Sequence, residues 1–188
     1  RIYKEFIMKI KDVVKSSEVL YSLDEITTAI SNIADAVNKH FGTLNKNITV
    51  LPVMKGAIPF AGYLIPKLNL DVVVEYVHAT RYYQNKGNNE IKYIYNPPIE
   101  TLANKNILLL DDILDEGITL LNIKKKIIEL GANSVTTAVL FDKNLNKKKP
   151  LKADFVGLMV PNKYVFGFGL DFKGRGRNLP NLYSFNEK

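Results

Sequence analysis

Ile107-Leu108-Leu109-Leu110-Asp111-Asp112-Ile113-Leu114-Asp115-Glu116-Gly117-Ile118-Thr119-Leu120 joins an aliphatic run to an acidic, glycine-bearing turn that opens a helix. The aliphatic run reads as a strand buried on both faces, of the kind found inside a parallel sheet. Adjacent carboxylates at its carboxyl end repel each other and resist desolvation, so Asp111 and Asp112 are expected to serve a ligand. A polyol with a metal ion would satisfy both. Beyond them, residues 116 to 119 can curl so that backbone N–H groups and the amino end of the next helix face a phosphate. Gly117 allows close approach, and Thr119 adds a hydroxyl. The competing explanation is an ordinary strand-to-helix turn with solvated acids.

Upstream, Ser22-Leu23-Asp24-Glu25 is a capping box, followed by Ile26, Ala29, Ile30, Ile33, Val37 and Phe41 at helical spacing before Gly42. Ile48 to Val53 reads as a buried strand, Met54 to Gly56 as a turn, Pro59 to Lys67 as a returning helix and Asp71 to His78 as a valine-rich strand. Between Arg81 and Glu90 there is almost nothing to bury, which predicts a long mobile loop, with Lys92 to Tyr95 returning as a strand. Downstream of the acidic turn come a helix from about Thr119 to Leu130, ended by Gly131, and strands at Val135 to Phe141 and around Phe155 to Leu158. Strands alternating with helices predict one α/β domain over 1–188, doubly wound on a mainly parallel sheet with right-handed crossovers. Ligands of such sheets bind beyond the carboxyl ends of the strands, where the turns at 54–56, 111–119 and 142–143 fall.

The 188 residues, 46% hydrophobic and 24% charged, are those of an ordinary globular protein able to bury a sizeable core. Zero cysteines exclude a disulfide framework, thiolate metal sites and thiol nucleophiles. No apolar stretch approaches membrane-spanning length and no leader is evident, so a cytoplasmic location without membrane attachment is expected. Asn47-Ile48-Thr49 matches a glycosylation acceptor but enters a strand, and it is discounted. A net charge of +7 favours anionic partners, which could be small phosphates or nucleic acid. The lysine clusters at 124–126 and 147–149 read as solvated surface. His40 and His78 lack metal-site spacing and read as structural. Gly167-Phe168-Gly169 and the stretch 169–176 fit neither a dinucleotide fingerprint nor a P-loop.

The acidic stretch resembles the phosphoribosyl pyrophosphate signature of the type I phosphoribosyltransferases: two acids, two apolar residues, Asp, a small residue, Gly, any residue and Thr. The resemblance covers roughly residues 20 to 185. It implies Asp111 and Asp112 near the ribose hydroxyls and Mg2+, and Asp115, Glu116, Gly117, Ile118 and Thr119 around the 5-phosphate. Glu116 stands where a small hydroxyl residue is usual, and Ile118 where a basic one is frequent. Were the phosphate held mainly by backbone N–H groups, Glu116 could point outward. Val53-Met54-Lys55-Gly56 looks like the family's pyrophosphate loop, which assigns Lys55 and Gly56 to the departing pyrophosphate; taken alone it could be a surface lysine in a tight turn. Arg81, Tyr82 and Tyr83 fall where the family carries a flap, here about 80–92, that excludes water from the reacting centre.

The segment from Ala153 to Leu158 and that from Pro161 to Asp171 resemble the base-binding part of the hypoxanthine-guanine branch, a hood over about 160–188 to which the N-terminal segment could add. By that resemblance Tyr164 stacks on the purine and Val165 offers backbone groups to its edge. Lys143 donates to the 6-oxo group, selecting oxopurines over adenine. Asp171 binds a second magnesium at the pyrophosphate, with Arg177 beside it. Arg175-Gly176 departs from the aromatics usual before that arginine. Asp115 takes the catalytic role, accepting or sharing the purine N7 proton. The implied activity is phosphoribosyl transfer from phosphoribosyl pyrophosphate to N9 of hypoxanthine or guanine, giving IMP or GMP and pyrophosphate, in a homodimer or homotetramer. The alternatives are a xanthine-preferring or pyrimidine transferase and a nucleotide-sensing regulator that binds RNA or DNA. The intact signature argues against lost catalysis, and no recognition helix argues for nucleic acid.

Overall fold

The computed structural model describes residues 9–42, 48–83 and 89–185. In chain order the elements are α1 (Ile10–Lys15), β1 (Ser17–Tyr21), α2 (Leu23–Gly42), β2 (Ile48–Met54), α3 (Ile58–Leu64), β3 (Val72–Val74), β4 (Val77–Tyr83), β5 (Asn89–Tyr95), β6 (Asn106–Leu114), α4 (Ile118–Glu129), β7 (Ser134–Lys143), β8 (Phe155–Val160), β9 (Tyr164–Phe166) and β10 (Leu182–Phe185).

The main sheet has seven strands in the order β5-β4-β2-β6-β7-β8, with β3 also paired to β2. All pairings are parallel except that of β4 with β5. Successive residues of β6 supply opposite faces. Leu108 and Leu110 join Ile26, Ile30, Phe41 and Phe60 of α2 and α3 on one side, whereas Ile107 and Leu109 join Leu120, Ile123 and Ile127 of α4 on the other. A strand buried on both faces has no polar side to show, which is why it reads as a continuous aliphatic run. The capping box forms as expected: the Ser22 N–H donates to Glu25 Oε2 at 2.8 Å, and the Glu25 N–H donates to Ser22 Oγ at 3.4 Å.

A second, antiparallel sheet, β1-β10-β9, makes the hood, and α1 packs on it through Val13 against Phe166 and Tyr183. The N-terminal segment thus contributes both a strand and a helix to the lobe.

Four local expectations need correction. The strand expected to stop before the acidic pair runs through Leu114, because its ladder to β7 continues over Asp111↔Val139, Ile113↔Phe141 and Leu114↔Asp142. The single strand expected over Asp71 to His78 is two: β3 follows the first half of β2, and β4 pairs with Val53 and Met54 at its end. The helix expected over Pro59 to Lys67 begins at Ile58, and its last turn tightens into a 3-10 turn over Ile65–Lys67 around Pro66. The ends of the loop expected between Arg81 and Glu90 are ladder instead, since β4 and β5 pair as far as Tyr83↔Asn89. Backbone hydrogen bonding continues the two strands into it. The remaining flap positions, 84–88, lie outside the described residues, as do the side chains of Arg81 and Tyr82.

Candidate active site

The chain leaves β2 toward β3 and β4 on one side and toward β6 on the other, so the sheet's order reverses between the carboxyl ends of β2 and β6. A cleft of about 470 Å³ lies at that switch point. Lys55 and Gly56 from the β2 end, Asp111 and Asp112 from β6, Asp115, Glu116, Gly117 and Thr119 from the turn into α4, and Asp171 and Arg177 from the hood line it. His78 and Thr80 in the first half of β4 also line it, and no sequence motif marked either of them.

Asp111 and Asp112 sit at the floor of the cleft, partly open to it. Burial, then the neighbouring Asp112 charge, holds the Asp111 carboxyl well above its ordinary range; burial also raises Asp112, against the Ile113 N–H and the distant Arg177 charge. Each accepts a local backbone N–H, Asp112 N at 3.0 Å and Ile113 N at 2.8 Å. Among the described residues neither forms an ion pair. Hard, desolvated carboxylate oxygens without a protein cation suit a magnesium ion that keeps water and substrate oxygens for its other positions. No cluster of three or more His, Cys, Asp or Glu able to hold a metal occurs among the described residues, so such an ion would depend on substrate oxygens.

Gly56 faces this pair closely. A Cβ there would fall 1.7 Å from Asp112 Oδ2, and a Cβ on Gly169 of the hood would fall 2.1 Å from the Gly56 carbonyl oxygen. The β2 turn is therefore clasped between the acidic floor and the hood. The Met54–Lys55 peptide is cis. At the turn into α4, Gly117 is the N-cap with φ 79°, a left-handed conformation that a side chain would strain. No side chain caps α4, so its first N–H groups face the cleft for an anion. Glu116 turns aside to Lys147 Nζ at 2.9 Å, and the adjacent Ile118 opens the helix.

A smaller cavity of about 240 Å³ adjoins the cleft, lined by Lys143, Tyr164, Val165 and Leu170, and shares Asp112, Asp115, Asp171 and Arg177 with it. Lys143, at the end of β7, donates to Asp115 Oδ2 at 2.8 Å. Tyr164 is 47% exposed, its ring edge-on to Phe172 and its hydroxyl donating to the Asp171 carbonyl at 3.1 Å. Burial and then the Asp171 charge raise the Tyr164 phenol above its ordinary range. Both Asp171 oxygens are engaged, one by Arg177 and the other by the Gly174 N–H at 2.7 Å, while Arg177 also donates to the Gly169 carbonyl at 2.6 Å. A magnesium at Asp171 would compete with Arg177. The space at Gly176 is filled by Ile10 of α1 and by Leu179, which leaves no room for a bulky residue.

Of the site residues inferred from sequence, the structure brings together all but Ile118, which opens α4 without lining either cavity, and Arg81 and Tyr82, whose side chains lie outside the described residues. The lysines read as solvated divide: Lys148 is exposed, but Lys147 pairs with Glu116, and Lys149 is largely buried against Asp142 and the Leu114 carbonyl. Their shared composition hid this, since one buried lysine beside two exposed ones in a loop leaves no periodicity to read.

The family model for the phosphoribosyl transferase domain matches residues 21–173. The hypoxanthine-guanine phosphoribosyltransferase of Streptococcus pneumoniae (strain ATCC BAA-255 / R6) is 29% identical over 171 residues, 91% of this chain and 94% of that protein. The protein of the same name from Aquifex aeolicus (strain VF5) is 31% identical over 170 residues, 90% of this chain and 94% of that one. A crystal structure of a hypoxanthine phosphoribosyltransferase from Staphylococcus aureus superposes with a TM-score of 0.83 at 24% identity, covering 96% of each chain. A hypoxanthine-guanine phosphoribosyltransferase from Bacillus anthracis superposes with a TM-score of 0.83 at 26% identity, covering 90% of this chain and 98% of that one.

Proposed function

Since this chain belongs to the phosphoribosyltransferase family, we propose that it is a purine salvage enzyme acting on hypoxanthine and guanine. It moves the 5-phosphoribosyl group of phosphoribosyl pyrophosphate to N9 of the base. The bond from C1 of the ribose to the pyrophosphate oxygen breaks with its electron pair leaving on pyrophosphate, and the C1–N9 bond forms. The products are IMP or GMP, pyrophosphate and the proton lost from the base.

The observation that carries this reading is the junction of the two cavities at Asp112, Asp115, Asp171 and Arg177, with Lys143 and Tyr164 on the smaller side and the uncapped α4 on the larger. A sugar phosphate on α4 and a base beside Tyr164 would meet there. The backbone N–H groups of 116–119 and the Thr119 hydroxyl hold the 5-phosphate. Glu116 is no obstacle, because its charge is directed to Lys147. Asp111 and Asp112 take the ribose hydroxyls and are the residues that would hold magnesium, which supplies neutralisation of the pyrophosphate charge. Lys55, the Gly56 peptide and Arg177 face the departing pyrophosphate, and Asp171 orients Arg177 or exchanges it for a second ion.

On the acceptor side Tyr164 stacks on the purine and Val165 presents backbone groups to its edge. Lys143 donates to the 6-oxo oxygen; adenine has an amino group there and cannot accept. Asp115 accepts or shares the N7 proton as bond formation at N9 changes the ring's acidity, a contribution of about 10²- to 10⁴-fold. Arg81 and Tyr82 belong to the flap that keeps water from the cationic ribosyl centre. The enzyme is proposed to work in the cytoplasm as a homodimer or homotetramer.

The test is turnover with phosphoribosyl pyrophosphate, magnesium and a panel of bases. Nucleotide is expected from hypoxanthine and guanine and not from adenine or uracil. Preference for xanthine, or no product with any base, would overturn this reading.

A further inference from the structure

Lys149 belongs to the loop between β7 and β8, in a lysine-rich stretch with no sequence signal of function, yet its side chain is only 13% exposed. Its ammonium donates to the Leu114 carbonyl at 2.6 Å and pairs with the Asp142 carboxylate. Leu114 and Asp142 are directly opposed partners in the ladder of β6 with β7. The residue that follows β6 is Asp115 and the next on β7 is Lys143, and those two side chains meet at 2.8 Å. Lys149 therefore ties together the strand positions immediately before both members of the pair. The same loop places Leu151 behind the phosphate turn, its carbonyl 3.7 Å from where a Cβ on Gly117 would lie.

Stability alone is a poor account of such a contact. Desolvating an ammonium and a carboxylate offsets most of their attraction, so an apolar pair of similar volume commonly does as well. What an apolar pair cannot supply is the donor to Leu114, and the carbonyl held by it carries the peptide into Asp115. We infer that Lys149 is a positioning residue: it sets the spacing of Asp115 and Lys143 by clamping the last rung of β6 and β7. The inference rests on the roles proposed above for Asp115 and Lys143.

The experiment uses the full chain and steady-state turnover with phosphoribosyl pyrophosphate, magnesium and hypoxanthine, well below each variant's Tm. Lys149→Met alone leaves Asp142 buried and unpaired and is expected to destabilise, so the decisive variant is Lys149→Met with Asp142→Leu. It is expected to keep the parental Tm within a few degrees and to lose kcat/KM for hypoxanthine by about 10- to 100-fold, the scale on which a misplaced reacting group is felt. Lys149→Arg, which retains the charge and its donors, is expected to keep most of the parental turnover. In an Asp115→Asn background the double replacement should cost less than it does alone, because the part that acts through Asp115 is already lost and only the part that acts through Lys143 remains. Parental kinetics in the paired variant, or an undiminished further loss in the Asp115→Asn background, would overturn the inference. A near-parental rate for Asp115→Asn alone would instead overturn the acid–base role, and this inference with it.

Discussion

The buried carboxylates of Asp111 and Asp112 are a residue-scale conflict between folding and use. The fold raises the proton affinity of both, so relative to an unfolded carboxyl, with an ordinary pKa of about 3.9, ionisation opposes folding. That opposition is absent below the unfolded value and complete above the raised folded value. Asp111→Asn is therefore expected to stabilise the ligand-free protein at neutral pH by about 1 kcal/mol, a Tm rise of about 2–4 °C, while turnover collapses. The gain should shrink as pH falls from the raised folded value toward about 4 and be absent below it; a variant less stable than the parent at pH 7 would contradict this. Gly56→Ala makes a complementary case. The added methyl meets the movable carboxylate of Asp112 rather than backbone, so the expected result is a raised KM for phosphoribosyl pyrophosphate with a small change in Tm. Parental kinetics would show that Asp112 is free to move. The acids and Gly56 were legible in the sequence because each stands in a motif whose chemistry needs that residue type. Lys147 and Lys149 were not, since they are identical neighbours in a loop, and Glu116 and the Leu114 carbonyl reach them from more than 30 residues away.

Elements were legible where one periodicity ruled. The capping box and apolar stripe of α2 and the aliphatic runs of β2, β6 and β7 lie within a few residues of their expected bounds. The miss at the end of β6 has a physical source: Asp111 and Asp112 are poor strand formers by type, and only the ladder to β7 makes them extended. The outer strand β8 depends on a polar clamp that composition does not reveal. Asp154, just before it, accepts from the N–H of fully buried Thr137 at 2.8 Å and from its hydroxyl at 2.7 Å. Burial raises the Asp154 carboxyl, but those bonds and Lys124 outweigh it, and the net shift is downward. A lowered folded pKa gives stability that is present above the unfolded value and lost as pH falls through the folded one. Asp154→Ala should cost about 1–3 kcal/mol at pH 7 by leaving the Thr137 N–H unpaired. The difference from the parent should narrow below about pH 4, where Asp154 itself protonates. A pH-independent loss would assign the effect to packing.

At the scale of the whole molecule, a parallel sheet with helices on both faces carries the phosphate side of the cleft, and a small antiparallel sheet carries Tyr164 and Val165. On the proposed assignment a nucleotide product would span the two. At a hundredfold excess over its Kd, IMP is expected to stabilise the parent by about 2.7 kcal/mol, or a Tm rise of about 5–10 °C. Tyr164→Ala should diminish the shift given by IMP and leave that given by phosphoribosyl pyrophosphate with magnesium unchanged; equal loss of both would place Tyr164 outside the base site. The alternation of strands and helices made the larger sheet legible, whereas the hood is held by pairings between distant segments that no local pattern encodes.

Those pairings have a temporal consequence. β1 is among the first strands to be synthesised, and its partner is β10, with Ser17 opposite Phe185. Domains form as their segments emerge during translation. The strands and helices of the phosphate side can all leave the ribosome while β1 still waits for a neighbour. A nascent chain would thus acquire its grip on the donor sugar before it has anywhere to seat the acceptor base.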